Sequence, residues 1–253
     1  MAQAAGLDNL RFVQADFAEL AESAQEQGFD FIVLHGVYSW VSAANRVAIQ
    51  GFVERALKPA GVLYLGYMSH PGLSAFASAQ RLLWATAQAA RGDARQRLQA
   101  GLQTLRAWRD SGAGYFVEHP DVAQRLARNT DEDLAYLAHE LLCEHWTPLH
   151  SADVIDAFAA IGCSFVGSAT ALENIDALSL PANCLPLLAS LDNTAQRESA
   201  KDIARNQSQR RDIFVRHAQA MDGNEHRHAL LNGRWAALPG APQAGAPIFD
   251  TRI

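Results

Sequence analysis

Runs of apolar residues alternate along this chain with stretches whose apolar positions recur at helical spacing, and that alternation predicts the elements. Phe29–Leu34, in FDFIVLHG, is a short apolar run with β-branched content between Gly28 and Gly36, which suits a strand buried on both faces of a parallel sheet. Val47–Leu57 follows with apolar residues at Val47, Phe52, Val53, Ala56 and Leu57, and Pro59 with Gly61 is expected to end that helix before a second apolar run, Val62–Leu65. The unit reads as β-α-β, a unit that places ligands beyond the carboxyl ends of its strands. His35, Gly36, Tyr38, Ser39 and Trp40 follow the first strand and Tyr67, Met68, Ser69, His70 and Pro71 the second, so both loops are expected to line one crevice.

Upstream, Leu10–Gln14 alternates as a strand with almost no chain before it. A strand needs a neighbour, so truncation of the preceding part of the protein is the expectation. Downstream the helical period takes over. Ser74–Ala90 and Ala94–Trp108 predict a helical hairpin turned at Gly92-Asp93. Pro120 opens a short helix to Arg128, and Thr130 with Asp133 has capping-box spacing before Leu134–Cys143. Ser151 is expected to cap a helix over Ala152–Ile161, ended by Gly162 ahead of an apolar run, Cys163–Gly167. A helix around Asn193–Asn206 and a last strand at Ile213–Val215 complete the series, and residues 219–253, with PGAPQAGAP, read as a linker or tail.

Composition narrows the classes. A chain of 253 residues with 49% hydrophobic content can bury a full core, and a formal charge of -6 gives no electrostatic reason to bind nucleic acid or an anionic membrane. No apolar run approaches the roughly 20 residues of a membrane span. Cys143, Cys163 and Cys184 form no CxxC pair, so reduced thiols in a cytoplasmic protein are expected. HELLCEH, with His139, Glu140 and His145, lacks the HExxH spacing that sets two imidazoles on one helical face, and no metal site is expected. His139 with Glu140 is read either as facing the cleft, where a base can take a proton from an attacking amine, or as part of a polar helix face or a structural hydrogen bond; His70 has the same standing.

The order of elements resembles the later half of a class I S-adenosylmethionine-dependent methyltransferase, with FVQADF, FDFIVLHG, LKPAGVLYLGY, Cys163–Gly167 and Arg211–His217 as its strands three to seven, the seventh antiparallel between the fifth and sixth. HGVYSWV, GYMSHPG and YLAHELLCEHWTPLHSADV are similar to the subgroup with a methyltransferase regulatory domain, related to bacterial protein-lysine methyltransferases. The resemblance implies an α/β fold with a partial Rossmann-like sheet and an inserted helical regulatory region. It divides the chain into a core half at 1–72, a helical cap at 73–149 with the family's regulatory domain at about 110–200, closing strands and helices at 150–218, and the tail.

It further implies S-adenosylmethionine as cofactor, with Asp16, Phe17, His35 and Gly36 on the cofactor side, Tyr38 and His139 as catalytic groups, and Trp40, Tyr67 and His70 toward the substrate. The implied acceptor is a protein lysine side chain, or else a small molecule. Tyr38, Trp40 and Tyr67 would hold a cationic amine by cation–π contact, with core packing the alternative for Trp40. The glycine-rich loop and the acidic residue that hold the cofactor in this family fall before the first residue, so the polypeptide alone is expected to be inactive and to bind the cofactor weakly. A catalytically inactive, partner-binding remnant is the alternative function.

Overall fold

The structure, a computed structural model, describes residues 6–24, 26, 28–128 and 134–234. The expected capping pair Thr130–Asp133 and the PGAPQAGAP segment lie outside the described residues. The chain divides into two compact units, residues 1–218 and 219–253.

The first unit begins with a helix, α1 (Phe17–Glu22), closed by a capping box in which Asp16 accepts from the Glu19 backbone at 2.8 Å. Strand β1 (Phe29–Leu34), helix α2 (Ala43–Ala56) and strand β2 (Leu57–Met68) form the expected β-α-β unit, with β1 and β2 parallel. Helix α2 starts earlier than its apolar pattern because Ser42 caps it, accepting from the Asn45 N–H at 3.1 Å. It ends at Ala56, before Pro59 is reached, and the four residues Lys58 to Gly61 bulge out where the β1–β2 register shifts.

Helices α3 (Ser74–Ala89) and α4 (Ala94–Asp110) make the expected hairpin, turned at Gly92 and capped by Asp93. They cross closely at Gly101, where a Cβ would lie 2.8 Å from Leu83. Short helices α5 (Gly114–Glu118), α6 (Pro120–Arg128) and α7 (Leu134–Leu141) follow, then α8 (Ser151–Ala159) and β3 (Cys163–Ser168). Ser151 is the first residue of α8 and not its cap; its side chain is turned inward and the residue is buried. After α9 (Asp176–Ser179) and α10 (Leu185–Ala189), helix α11 (Thr194–Arg205), capped by Asn193, leads into β4 (Gln209–Arg216).

The sheet order is β1-β2-β4-β3, with β4 antiparallel to both neighbours, as the family resemblance implied. One expected strand is not formed. Residues 10–14 are exposed and pair with no strand among the described residues. The inner face of the sheet carries Ile32, Leu63, Leu65 and Phe214 against Tyr38, Val53 and Phe158. Its outer face leaves Phe31, Val33 and Val166 exposed. A second hydrophobic cluster, built from Phe76, Leu83, Leu98, Leu102, Leu105, Leu126 and Leu141, holds the helical region together.

In the second unit the expected tail contains a helix, α12 (Gly223–Asn232), started by a capping box between Asp222 and Glu225. His226 to His228 lie on this helix.

Candidate functional site

The β-α-β crossover directs attention to the carboxyl ends of β1 and β2. There His35, Gly36, Trp40, Gly66, Tyr67, Gln209, Arg210 and Arg211 surround a cavity of about 140 Å³, and α7 closes it with Tyr136 and Glu140. A larger open cleft of about 440 Å³, lined by Glu22, Glu54, Arg55 and Arg216, lies at the opposite end of the strands, away from that position.

Backbone geometry builds the mouth of the cavity. Gly36 has a positive φ of 64°, a conformation that costs a side-chain-bearing residue, and a Cβ there would meet nothing, so the chain turns sharply beside open space. The turn continues to Trp40, whose N–H donates to the Val37 carbonyl. Ser39 is buried and ties the two loops together: its hydroxyl accepts from the Met68 N–H at 2.8 Å and its carbonyl accepts from the Thr147 N–H at 3.0 Å. Leu149 joins the same seam through its N–H to the Met68 carbonyl. The segment after α7 is thereby stitched onto the strand ends, and Gln80 of α3 donates to the Leu141 carbonyl at the end of α7.

Among the residues singled out from the sequence, the structure brings His35, Gly36, Trp40 and Tyr67 together at this cavity. His35 stacks on Tyr64, with Nδ1 3.1 Å from the phenol oxygen. The Trp40 indole Nε1 is buried without an acceptor among the described residues. Tyr67 is 3% exposed and donates to Asp212 at 2.6 Å, and burial together with that carboxylate holds its hydroxyl well above the usual phenol range.

The other candidates lie elsewhere. Tyr38 is 2% exposed inside the sheet core, 5.7 Å from the Phe158 ring, where its hydroxyl accepts from Gln50 at 2.7 Å and burial raises its pKa. The expectation that it faces the cleft is therefore corrected: Phe158 and α2 claim the ring first. His139 is exposed and does not line the cavity, because the helical turn that points Tyr136 and Glu140 inward carries His139 away. His70 stacks on His150 at 4.4 Å and approaches the Ser74 hydroxyl at 2.7 Å; burial and the neighbouring imidazole lower its pKa. Asp16 is an exposed helix cap, and Phe17 packs against the sheet core. Among the described residues no cluster of three or more potential metal ligands occurs, and no helix is long and apolar enough to cross a membrane.

What the sequence reading missed is charged. Arg210, 4% exposed, lies behind the cavity with three carboxylates around its guanidinium: Asp202 at 2.6 Å, Glu198 at 2.8 Å and Asp212 at 3.0 Å. Lys201 bridges Glu198 to Asp176. Burial disfavours the charge on Arg210, but Asp212 and its other neighbours outweigh that and raise its pKa. Burial pushes the Asp212 carboxyl up to about 6 despite the opposing pull of Arg210. Arg210, Asp212 and Phe214 fall at period two along β4, the signal that all three face inward.

Comparison with known proteins places this geometry. A family model described as "Methyltransferase domain" matches residues 1–150, and one described as "Predicted methyltransferase regulatory domain" matches residues 133–216. The uncharacterized protein sll1526 of Synechocystis sp. is 33% identical over 238 residues, 94% of this chain and 47% of that protein. The uncharacterized protein RP028 of Rickettsia prowazekii is 37% identical over 68 residues, 27% of this chain and 26% of that protein. Among solved structures, PKMT2 from Rickettsia typhi in complex with AdoHcy superposes with a TM-score of 0.70 at 22% identity, over 88% of this chain and 42% of that one. A second structure of PKMT2 from Rickettsia typhi gives 0.68 at 19% identity over 90% and 43%. These two share the fold. The chain spans less than half the length of each of these relatives.

Proposed function

We propose that this chain, which belongs to the methyltransferase-domain family and carries its regulatory domain, forms the acceptor side of an S-adenosylmethionine-dependent methyltransferase acting on protein lysine side chains. The observation that carries the reading is the cavity at the carboxyl end of β1, where a glycine turn meets an aromatic wall. AdoHcy, the product form of that cofactor, is the ligand in the PKMT2 complex of the same fold.

The residues present fit part of such a group. Open space beside Gly36 admits close approach to its backbone, and the Trp40 Nε1 donor has no acceptor among the described residues. When bound, S-adenosylmethionine supplies a methyl group activated on a sulfonium. The chain's own contribution is positioning: His35 and Gly36 flank the cofactor side, while Trp40 and Tyr67 face the acceptor side and suit a cationic amine by cation–π attraction. Asp16, engaged in capping α1, is not part of this arrangement.

Titration with AdoHcy followed by amide chemical shifts tests the reading. Shifts at His35, Gly36 and Trp40 are expected at roughly millimolar ligand, the weak range that goes with a few kcal/mol of binding. No shift at these residues would overturn the cofactor assignment. Binding at about micromolar ligand would overturn the assignment of only part of the cofactor's contacts to this chain.

A further inference from the structure

Helix α7 contributes to the cavity although it belongs to the stretch matched by the regulatory-domain model, and what it contributes is a carboxylate. Of the ten described residues that line the cavity, Glu140 alone is acidic. It lies one helical turn beyond Tyr136, and the Tyr136 hydroxyl donates to it. Three aromatic residues, Trp40, Tyr67 and Tyr136, share the same cavity.

The cations nearby leave this carboxylate available. Arg210 is saturated by Asp202, Glu198 and Asp212 through all three of its nitrogens. Arg211, which follows it on β4 and also lines the cavity, makes no ion pair with Glu140 among the described residues. Arg125, on α6, attracts Glu140, but its guanidinium is laid over the Phe76 ring at 4.3 Å. No ion pair within 4.0 Å involves Glu140 among the described residues. A carboxylate with a phenol donor on one side and an aromatic wall on the other lacks one thing, a compact cation with hydrogens to donate.

We propose that Glu140, positioned by Tyr136, binds the cationic nitrogen of the acceptor, so that a regulatory-domain helix selects a primary ammonium such as that of lysine. The inference rests on the methyl-transfer reading for its role, and on the cavity alone for its chemistry. Trp40 and Tyr67 supply the aromatic faces for the ammonium's carbon stem, and Glu140 supplies the charge-assisted hydrogen bond that a neutral analogue cannot make.

The test uses the full chain and two peptides of one sequence, the first with a single central lysine and the second with acetyl-lysine there. Calorimetric titration is expected to show the lysine peptide bound about tenfold more tightly by the unmodified protein, the scale of one hydrogen bond to a charged group. Glu140→Gln should remove that preference while leaving thermal unfolding unchanged, and Glu140→Asp should keep part of it. Equal binding of the two peptides by the unmodified protein, or a preference undiminished in Glu140→Gln, would overturn the proposal. Lysine preference without any AdoHcy response at His35 and Gly36 would sink the methyl-transfer reading and leave the Glu140 site standing; an AdoHcy response without lysine preference would sink Glu140 alone.

Discussion

The sheet and the helical cap solve the same packing problem with different chemistry. The cap, from α3 to α7, is closed by Leu, Phe, Ala and Val side chains, and among its described residues only Gln80 is polar and buried. The sheet has an apolar inner face too, but between β4 and α11 it buries Arg210, Asp212, Asp202 and Glu198. Apolar contacts are non-directional, so the cap specifies that its helices cluster more firmly than how they are aligned. The charged seam is directional: three carboxylates converge on one guanidinium, and α11 fits only where its Glu198 and Asp202 reach it. The cavity lies where the two kinds of region meet, with Tyr67 from the seam and Tyr136 with Glu140 from the cap.

The sharpest way to break this contrast is Arg210→Met. It strands three buried carboxylates, and a loss of about 3–5 kcal/mol is expected by urea denaturation at neutral pH, shrinking as the medium is acidified and the carboxyls protonate. A loss below about 1 kcal/mol would mean that the seam is not the sheet's specific lock.

In the cap, Leu102→Ala opens a cavity at a residue 2% exposed and should cost about 2–5 kcal/mol. Native-state hydrogen exchange then distinguishes the regions: amides of α3 and α4 should lose protection while those of β2 and β4 keep theirs. Parallel loss in both would show that the two hydrophobic clusters open together.

A titration sharpens the seam itself. The Asp212 carboxyl is raised to about 6 in the folded protein from an ordinary value of 3.8, so the fold holds its proton more tightly than the unfolded chain does. Its stabilising contribution is in place below pH 3.8 and is lost as pH rises through 6. Asp212→Asn cannot titrate, so between these limits the unmodified protein should lose about 2–3 kcal/mol relative to the variant. Parallel pH profiles would refute the assignment. At the small end, Lys58→Ala removes an ion pair whose partners are 41% and 68% exposed, and its melting temperature should move by no more than the equivalent of about 0.5 kcal/mol.

The elements that could be read from the sequence are those whose signal is local. The β-α-β unit, the α3–α4 hairpin and Pro120 at the start of α6 show themselves through periodicity and caps, and all three are formed, with α2 and β2 beginning earlier than their apolar patterns. The antiparallel place of β4 came from the family resemblance and holds in the sheet order. Residues 10–14 alternate like a strand, but alternation cannot supply a neighbouring strand. The capping box at Asp222 was overlooked because the surrounding residues lack apolar periodicity.

At the cavity, His35, Gly36, Trp40 and Tyr67 could be placed because they follow strands, whereas Tyr38 shows the limit of that rule: two residues past the turn, a ring goes to whichever side has room, and here the room is beside Phe158. Glu140 was singled out beside His139 and does line the cavity, whereas Arg210 depends on contacts between segments far apart in sequence. Arg210 reads as a flanking charge until α11 is laid against it.

The guanidinium between β4 and α11 also gives the protein an uneven response to temperature. The cost of stripping water from charged groups falls on heating, because their hydration is entropically unfavourable, whereas the drive to bury apolar surface fades on cooling. The seam around Arg210 is thus at its least costly in the warm, and the leucine-packed cap is at its weakest in the cold. Chilling loosens first the helices that carry Tyr136 and Glu140, and heating leaves the β4–α11 lock among the last contacts to part.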